Sequence, residues 1–199
     1  MGDTATLIER FVATLNERGL EPLFDLDVPA ELRKGQTDIG MFEWKIRSAE
    51  PNPWVAELEA RLPFRLPSLY RELIAGYRFA EFEVGPVMFL ANTGTPVHNE
   101  LADVIFRDKF LHPTLLEKGL IQFGRAARGS YDPICFDLAR RVEKDAPIVR
   151  VDHEEVLIRE RTLILTEIAP TFKDFVEQVI ADRQSIGFTL PLPPSAERT

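Results

Sequence analysis

The densest run of titratable side chains in the sequence is Asp152-His153-Glu154-Glu155. A carboxylate beside an imidazole is the pairing that general acid–base catalysis and metal binding both use. A metal centre, however, needs three or four converging ligands, and consecutive residues of a β-strand point to opposite faces of the sheet. We therefore interpret the run as the solvated polar end of a strand.

Two more carboxylates, Asp132 and Asp137, precede this run. Together with His153 they would provide the residues of a small metal-dependent hydrolase, which we keep as a less favoured functional hypothesis. The step Asp132-Pro133 is also typical of a turn that leads into a strand, because Asp bonds its own backbone and the residue before proline avoids the helix. Asp137 alternates with the apolar Phe136 and is predicted to point outward. The preferred interpretation has no catalytic residue, no metal and no cofactor.

Cys135 is the only thiol of the chain. It alternates with Ile134 and Phe136 in a predicted strand, which is typical of a small buried residue without reactivity. A nucleophilic pair of Cys135 with His153 stays open as an alternative.

The other basic and imidazole side chains give weaker signals. Arg125 and Arg128 flank a turn and could hold an anion, but two solvated arginines on a hairpin loop are the simpler interpretation. His98 and His112 have no companion at ligand spacing and are predicted to be surface residues or helix-end partners. The sequence contains neither Gly-x-Ser-x-Gly nor His-Glu-x-x-His, which removes the commonest hydrolase signatures.

Length and charge restrict the classes of function. A chain of 199 residues with 45% hydrophobic residues fits one soluble domain with an N-terminal extension. The net charge of −8 disfavours nucleic acids and anionic membranes as partners, because both attract basic surfaces, and it suits a basic protein partner. No signal-peptide pattern and no apolar run of about 18 residues is present, so we predict a cytoplasmic protein.

Hydrophobic periodicity predicts helices first, then a block of strands, then one helix. A first helix of about a dozen residues follows a Thr6–Glu9 capping box, and two more helices begin near Asn52-Pro53 and after Pro67. A short helix at Asn99 and a further turn around 113–118 precede the last strands. Strands are predicted near 41–46, at 82–90 with an interruption at Gly85-Pro86, and at about 120–124, 133–138, 147–152 and 161–167.

The clearest helix begins at Pro170. Its apolar residues recur at the spacing of one helix face: Phe172, Phe175, Val176, Val179 and Ile180. The order of elements predicts an α+β fold with an extension at 1–59, a main domain at 60–184 and an extended or disordered proline-rich tail at 185–199.

Four segments of the main domain resemble one known family. They are the Leu-Pro helix start at 66–73, the glycine–aromatic–aspartate hairpin at 124–137, the strand with its polar end at 148–154, and the closing helix with paired phenylalanines at 169–176. In this order they resemble the SUKH superfamily in its Smi/Knr branch, which comprises fungal cell-wall-assembly regulators and bacterial toxin-immunity proteins.

The resemblance implies a central mixed, mostly antiparallel sheet flanked by N-terminal helices and one C-terminal helix. It also implies a non-enzymatic protein-binding module, in the bacterial relatives an immunity protein that neutralises a cognate toxin. Because such toxins are often basic nucleases, we expect a partner surface near the exposed carboxylates Asp132, Asp137, Asp152, Glu154 and Glu155. The alternative is a regulatory or scaffold protein of the same family.

Overall fold

The protein is described by a computed structural model over residues 2–24, 28–50, 54–93, 100–106 and 110–181. The helices in these ranges are α1 (Gly2–Arg18), α2 (Trp54–Arg61), α3 (Ser68–Gly76), α4 (Glu100–Phe106), α5 (His112–Glu117), α6 (His153–Arg159) and α7 (Phe172–Ala181). The strands are β1 (Arg33–Gln36), β2 (Phe42–Trp44), β3 (Arg47–Ser48), β4 (Tyr77–Arg78), β5 (Phe82–Val84), β6 (Val87–Phe89), β7 (Leu120–Ala126), β8 (Pro133–Asp137), β9 (Ile148–Val151) and β10 (Ile164–Ala169).

Six strands form the central sheet in the order β10-β9-β8-β7-β6-β5, and two small sheets pair β1 with β2 and β3 with β4. This confirms the predicted α+β class. Every pairing in the described part of the chain is antiparallel, since each strand of the central sheet returns beside the one before it. β10 therefore lies at one edge of the sheet and β5 at the other.

The main core lies between the sheet and the helices α1, α3 and α7. Its centre is aromatic: the Phe123 and Phe136 rings stack with centroids 4.1 Å apart, and Tyr70 of α3 lies 4.9 Å from Phe136. Phe172 of α7 meets the same group edge to face. The backbones of β6 and β7 approach so closely at Gly124 that a Cβ there would lie 2.6 Å from the Met88 carbonyl oxygen, which explains this glycine.

The opposite face of the sheet carries a smaller core. Val149, Val151 and Cys135 pack there against Leu115 of α5 and Val156 of α6. The two faces follow from the alternation of side chains along β8 and β9. The helices α5 and α6 are thereby fixed to the side of the sheet opposite α7.

Several predicted elements need correction. α1 begins at Gly2, so the Thr6–Glu9 capping box falls inside the helix and is wrong as a helix start. Residues 82–90 form two strands rather than one, because Gly85-Pro86 makes a tight hairpin turn. The polar run after β9 is the helix α6 rather than a strand end, since the Asp152 side chain caps its first turn.

Other predicted elements are confirmed, lie outside the described residues or remain untested. Strands at 120–126, 133–137 and 148–151 and the closing helix confirm the predicted elements, while β10 begins at Ile164 rather than at 161. The helix start at Asn52-Pro53, His98 and the tail at 185–199 lie outside the described residues. The divisions at 59/60 and 184/185 stay predictions. Among the described residues, none of the helices combines the length and the apolar character needed to span a membrane.

Candidate functional site

Asp132 is the centre of the most highly connected polar cluster. It directly precedes β8, and its residue surface is only 5% exposed. One carboxylate oxygen, Oδ1, accepts hydrogen bonds from the His153 backbone N–H at 3.2 Å and meets the His153 Nδ1 at 2.6 Å. The other oxygen, Oδ2, accepts from the Arg150 Nε at 2.7 Å and is contacted by the Arg150 Nη2. The carboxylate thus joins β9 and the start of α6.

The ladder between β8 and β9 explains why Arg150 reaches this carboxylate. Ile134 is the partner of Arg150 across the ladder, so Asp132, two residues earlier, lies diagonally opposite on the same face. The Arg150 Nη2 also donates to the Ser130 Oγ at 3.4 Å, and the Asp132 backbone N–H donates to the same oxygen at 3.3 Å. The turn before β8 is therefore fixed to β9 by polar contacts.

Opposing effects act on the ionisation of Asp132. Burial alone would raise the pKa of this carboxyl, but the hydrogen bonds from His153 and Arg150 outweigh burial and lower the pKa below its usual value. The carboxylate is ionised at neutral pH and can only accept hydrogen bonds. Consequently the Nδ1 of His153 carries the hydrogen, and the Nε2 is the ring nitrogen left for another partner.

We expect the stabilising contribution of Asp132 to depend on pH. Because its pKa is lowered in the folded chain, the contribution is fully present above the unfolded pKa of about 4 and is lost as pH falls through the folded pKa. Urea unfolding of wild type and Asp132→Asn should show a difference in stability at pH 7 that shrinks toward pH 3. A difference that stays constant with pH would contradict this ionic role.

Asp152 lies close to Asp132 and His153, but its structural role is to cap a helix. Its side chain accepts hydrogen bonds from the backbone N–H groups of Glu154 at 2.9 Å and Glu155 at 3.1 Å, and so caps α6. Ligand atoms of Asp132, Asp152 and His153 lie within 4.8 Å of one another, close enough to hold a metal ion. The Arg150 guanidinium already neutralises Asp132, and the backbone N–H groups at the start of α6 already engage Asp152, so both carboxylates have partners within the protein.

Asp137 is not part of this cluster. It ends β8, and five residues of strand place it about 17 Å from Asp132. The prediction that it points outward is wrong: it is 5% exposed, accepts from the Arg140 Nε at 2.6 Å and caps the short 3-10 turn Leu138–Arg140. The Asp132, Asp137 and His153 set of the hydrolase hypothesis is therefore not assembled.

The other two carboxylates of the expected partner surface differ from each other. Glu155 accepts from the Arg161 Nε at 2.5 Å and is in contact with Arg159. Glu154 is exposed in the first turn of α6. Tyr131, 75% exposed, completes the surface beside them, with its ring centroid 6.1 Å from that of His153.

The remaining candidate residues are explained by packing and ion pairs. Cys135 is fully buried, as predicted, and burial together with the charge of Asp137 raises the pKa of its thiol, so it stays protonated. Arg125 pairs with Glu81 at 3.9 Å, and the Arg128 backbone N–H donates to Glu83 at 3.0 Å. His112 is the first residue of α5.

Arg150 is the residue of the polar cluster that sequence reasoning missed. A single charged residue stands between apolar neighbours in the strand Ile148–Val151. Such a charge requires a partner, because an unpaired charge in a sheet interior is costly. The lone charge in an apolar strand could therefore have predicted an ion pair at Arg150, although the sequence does not indicate that Asp132 is the partner.

Comparison with known proteins agrees with this architecture. Among curated proteins, no sequence matches the chain. Residues 54–178, more than half of the chain, match the SMI1 / KNR4 family (SUKH-1). The matched range contains the central sheet, α3, most of α7 and the Asp132 cluster. The chain is therefore a member of the SMI1 / KNR4 family (SUKH-1).

Proposed function

We propose that this protein is a non-catalytic protein-binding domain that acts as an immunity protein by binding and neutralising a cognate toxin. The family match over residues 54–178 is the observation that carries the proposal, because the family is one of protein–protein interaction. The regulatory or scaffold role is the alternative within the same family, and the experiment below distinguishes the two.

The geometry of the polar cluster supports a binding role over a catalytic one. Catalytic groups are directed at a place where a substrate can lie, whereas both carboxylate oxygens of Asp132 are occupied by Arg150 and His153. A shallow, partly open cleft between α4, α5 and β7 has a volume of only about 10 Å³, room for about one water molecule, and is lined mostly by apolar side chains. This volume is far below the roughly 300–1,000 Å³ typical of small-molecule sites, and none of the carboxylates discussed above lines the cleft.

The proposed partner surface surrounds the start of α6. Of the five predicted carboxylates it keeps Asp132, Asp152, Glu154 and Glu155, and it adds Tyr131; Asp137 lies at the other end of β8, about 17 Å from Asp132. Their roles differ: Asp132 is buried and fixes the backbone from inside, while Glu154 and Tyr131 are exposed to a partner. A tyrosine beside negative charge suits a basic protein partner, because tyrosine is enriched among the residues that dominate binding energy.

The test begins with the toxin domain encoded beside the gene of this protein, if one is present, co-expressed with the chain. Restored growth of the host cell and a stable complex on gel filtration are the expected results. The regulatory alternative would be favoured if no toxin gene lay beside the gene of this protein and the chain co-purified with cell-wall or signalling proteins. Failure to bind any toxin domain would contradict the immunity role.

The contact surface is tested by a matched pair of charge reversals. We expect Glu154→Lys to weaken toxin binding by about tenfold or more, because it places a positive charge against a basic partner. Glu57→Lys is the control, since Glu57 is also an exposed glutamate in the first turn of a helix and the change in net charge is the same. Isothermal titration gives both affinities. Equal affinities for the two variants would exclude the α6 surface as the binding site.

A further inference from the structure

The edge strand β10 and the residue before it, Leu163, expose an apolar segment. β10 pairs with β9 on one side and is the terminal strand of the six-stranded sheet. Leu163, Ile164 and Leu165 are 45%, 42% and 45% exposed. An exposed apolar edge strand offers unpaired backbone groups and a hydrophobic surface to another strand.

The sequence of this edge is close to a palindrome. Residues 161–167 read Arg-Thr-Leu-Ile-Leu-Thr-Glu, which is symmetric about Ile164 apart from the opposite charges at its ends. In an antiparallel pair of identical strands centred on Ile164, each residue faces its symmetry equivalent: Thr162 faces Thr166, and Leu163 faces Leu165. Across the pair, leucine therefore faces leucine and threonine faces threonine.

The ends of the segment complement each other in charge. In the same register Arg161 of one copy faces Glu167 of the other, and the two-fold axis repeats this pair. Within each copy Arg161 pairs with Glu155 and Glu167 pairs with Arg140, so the contact between copies would extend these two exposed ion pairs. Opposite charges directly across an antiparallel ladder stabilise the pairing, whereas like charges would weaken it. Threonine pairs and β-branched residues add to the preference for a strand partner.

The backbone at Ile164 is available for this pairing. The Leu163 carbonyl accepts a hydrogen bond from the Asp152 N–H at 2.9 Å, so the peptide groups of Leu163 face the inside of the sheet. Because neighbouring residues of a strand direct their peptide groups to opposite sides, those of Ile164 face the free edge.

We propose that residues 161–167, which are the three residues before β10 and its first four residues, pair with the same segment of a second copy of this chain about a two-fold axis at Ile164 and join the two central sheets. A two-fold axis requires one surface that is complementary to itself, and the near-palindrome provides that property. The register of β10 against β9 shifts between Ile164 and Thr166 and again between Glu167 and Ala169. Such bulges bend an edge, so the contact is short and the dimer is expected to dissociate on dilution.

Cysteine cross-linking tests the register. In this register the two Ile164 Cα atoms are about 5.5 Å apart, within the range that a disulfide spans. Ile164→Cys should therefore give a covalent dimer with oxidised glutathione. The control Thr162→Cys should not, since four residues separate each Thr162 from its copy along the strand, about 14 Å. The native Cys135 is buried and does not interfere.

Sedimentation of the full chain tests the dimer itself. We expect wild type to be mostly dimeric at about 100 µM, given a Kd in the micromolar range. Ile164→Lys should be monomeric because it places two like charges at the axis, while the control Ile158→Lys, at a 75% exposed site on α6, should remain dimeric. A monomeric wild type, a dimer unaffected by Ile164→Lys, or equal cross-linking through Thr162→Cys would each overturn the proposal.

Discussion

Replacing Phe123 by alanine is expected to lower the free energy of unfolding by about 3–5 kcal/mol. The Phe123 ring is fully buried, stacks on Phe136 at 4.1 Å and lies 5.3 Å from the Tyr70 ring. Removing it loses this aromatic contact and leaves a cavity between the sheet and α3, which the packed helices cannot close. Urea denaturation followed by circular dichroism measures the loss.

The control for Phe123 is an exposed phenylalanine. Phe24 is 64% exposed, and Phe24→Ala should change stability by less than about 0.5 kcal/mol. Since small domains are stable by only about 5–15 kcal/mol, Phe123→Ala should also show a detectable unfolded fraction under mild denaturant. Similar unfolding midpoints for the two variants would contradict the central position of Phe123 in the core.

Replacing Asp132 by alanine is expected to lower the free energy of unfolding by about 2–4 kcal/mol. The change removes a carboxylate and leaves the Arg150 guanidinium and the His153 imidazole without their buried partner. This loss of unfolding free energy is smaller than for a fully buried ion pair, because the Arg150 side chain is 32% exposed and water can reach it. The same urea measurement gives the value.

Two further variants define what Asp132 does. The control Glu154→Ala removes an exposed carboxylate two residues after Asp152 and should have little effect on stability. The double variant Asp132→Ala with Arg150→Met should recover part of the loss, because it also removes the unpaired charge. If Asp132→Ala were no more harmful than Glu154→Ala, the cluster would not fix the start of α6.

Because Asp132 stabilises the fold, its variants cannot by themselves locate a partner interface. A variant at Asp132 changes the backbone that presents α6 as well as the charge, because this carboxylate is buried and accepts a hydrogen bond from the His153 backbone N–H. A loss of binding in such a variant would not by itself locate the interface. Glu154 and Tyr131 are better probes, since their side chains are exposed.

The elements with strong local patterns were predictable from the sequence. The stripe of Phe172, Phe175 and Val176 predicts α7 because only a helix places these residues on one face. The apolar strands at 120–126 and 133–137 are recognisable from their β-branched and aromatic residues and the glycines between them. Their α+β order, and with it the resemblance to the family, follows from local patterns of this kind.

The assembly of the polar cluster was decided by the tertiary structure. Asp132 and His153 are 21 residues apart, and nothing local indicates that they meet; the ladder between β8 and β9 and the return of the chain into α6 bring them within 2.6 Å. The same applies to the end of β9, where the bonds of Asp152 to Glu154 and Glu155 turn a polar run into a helix. Local sequence determines which elements form, because propensity and periodicity act over a few residues. Which charged groups neutralise each other depends on the register between strands, which only the folded chain fixes.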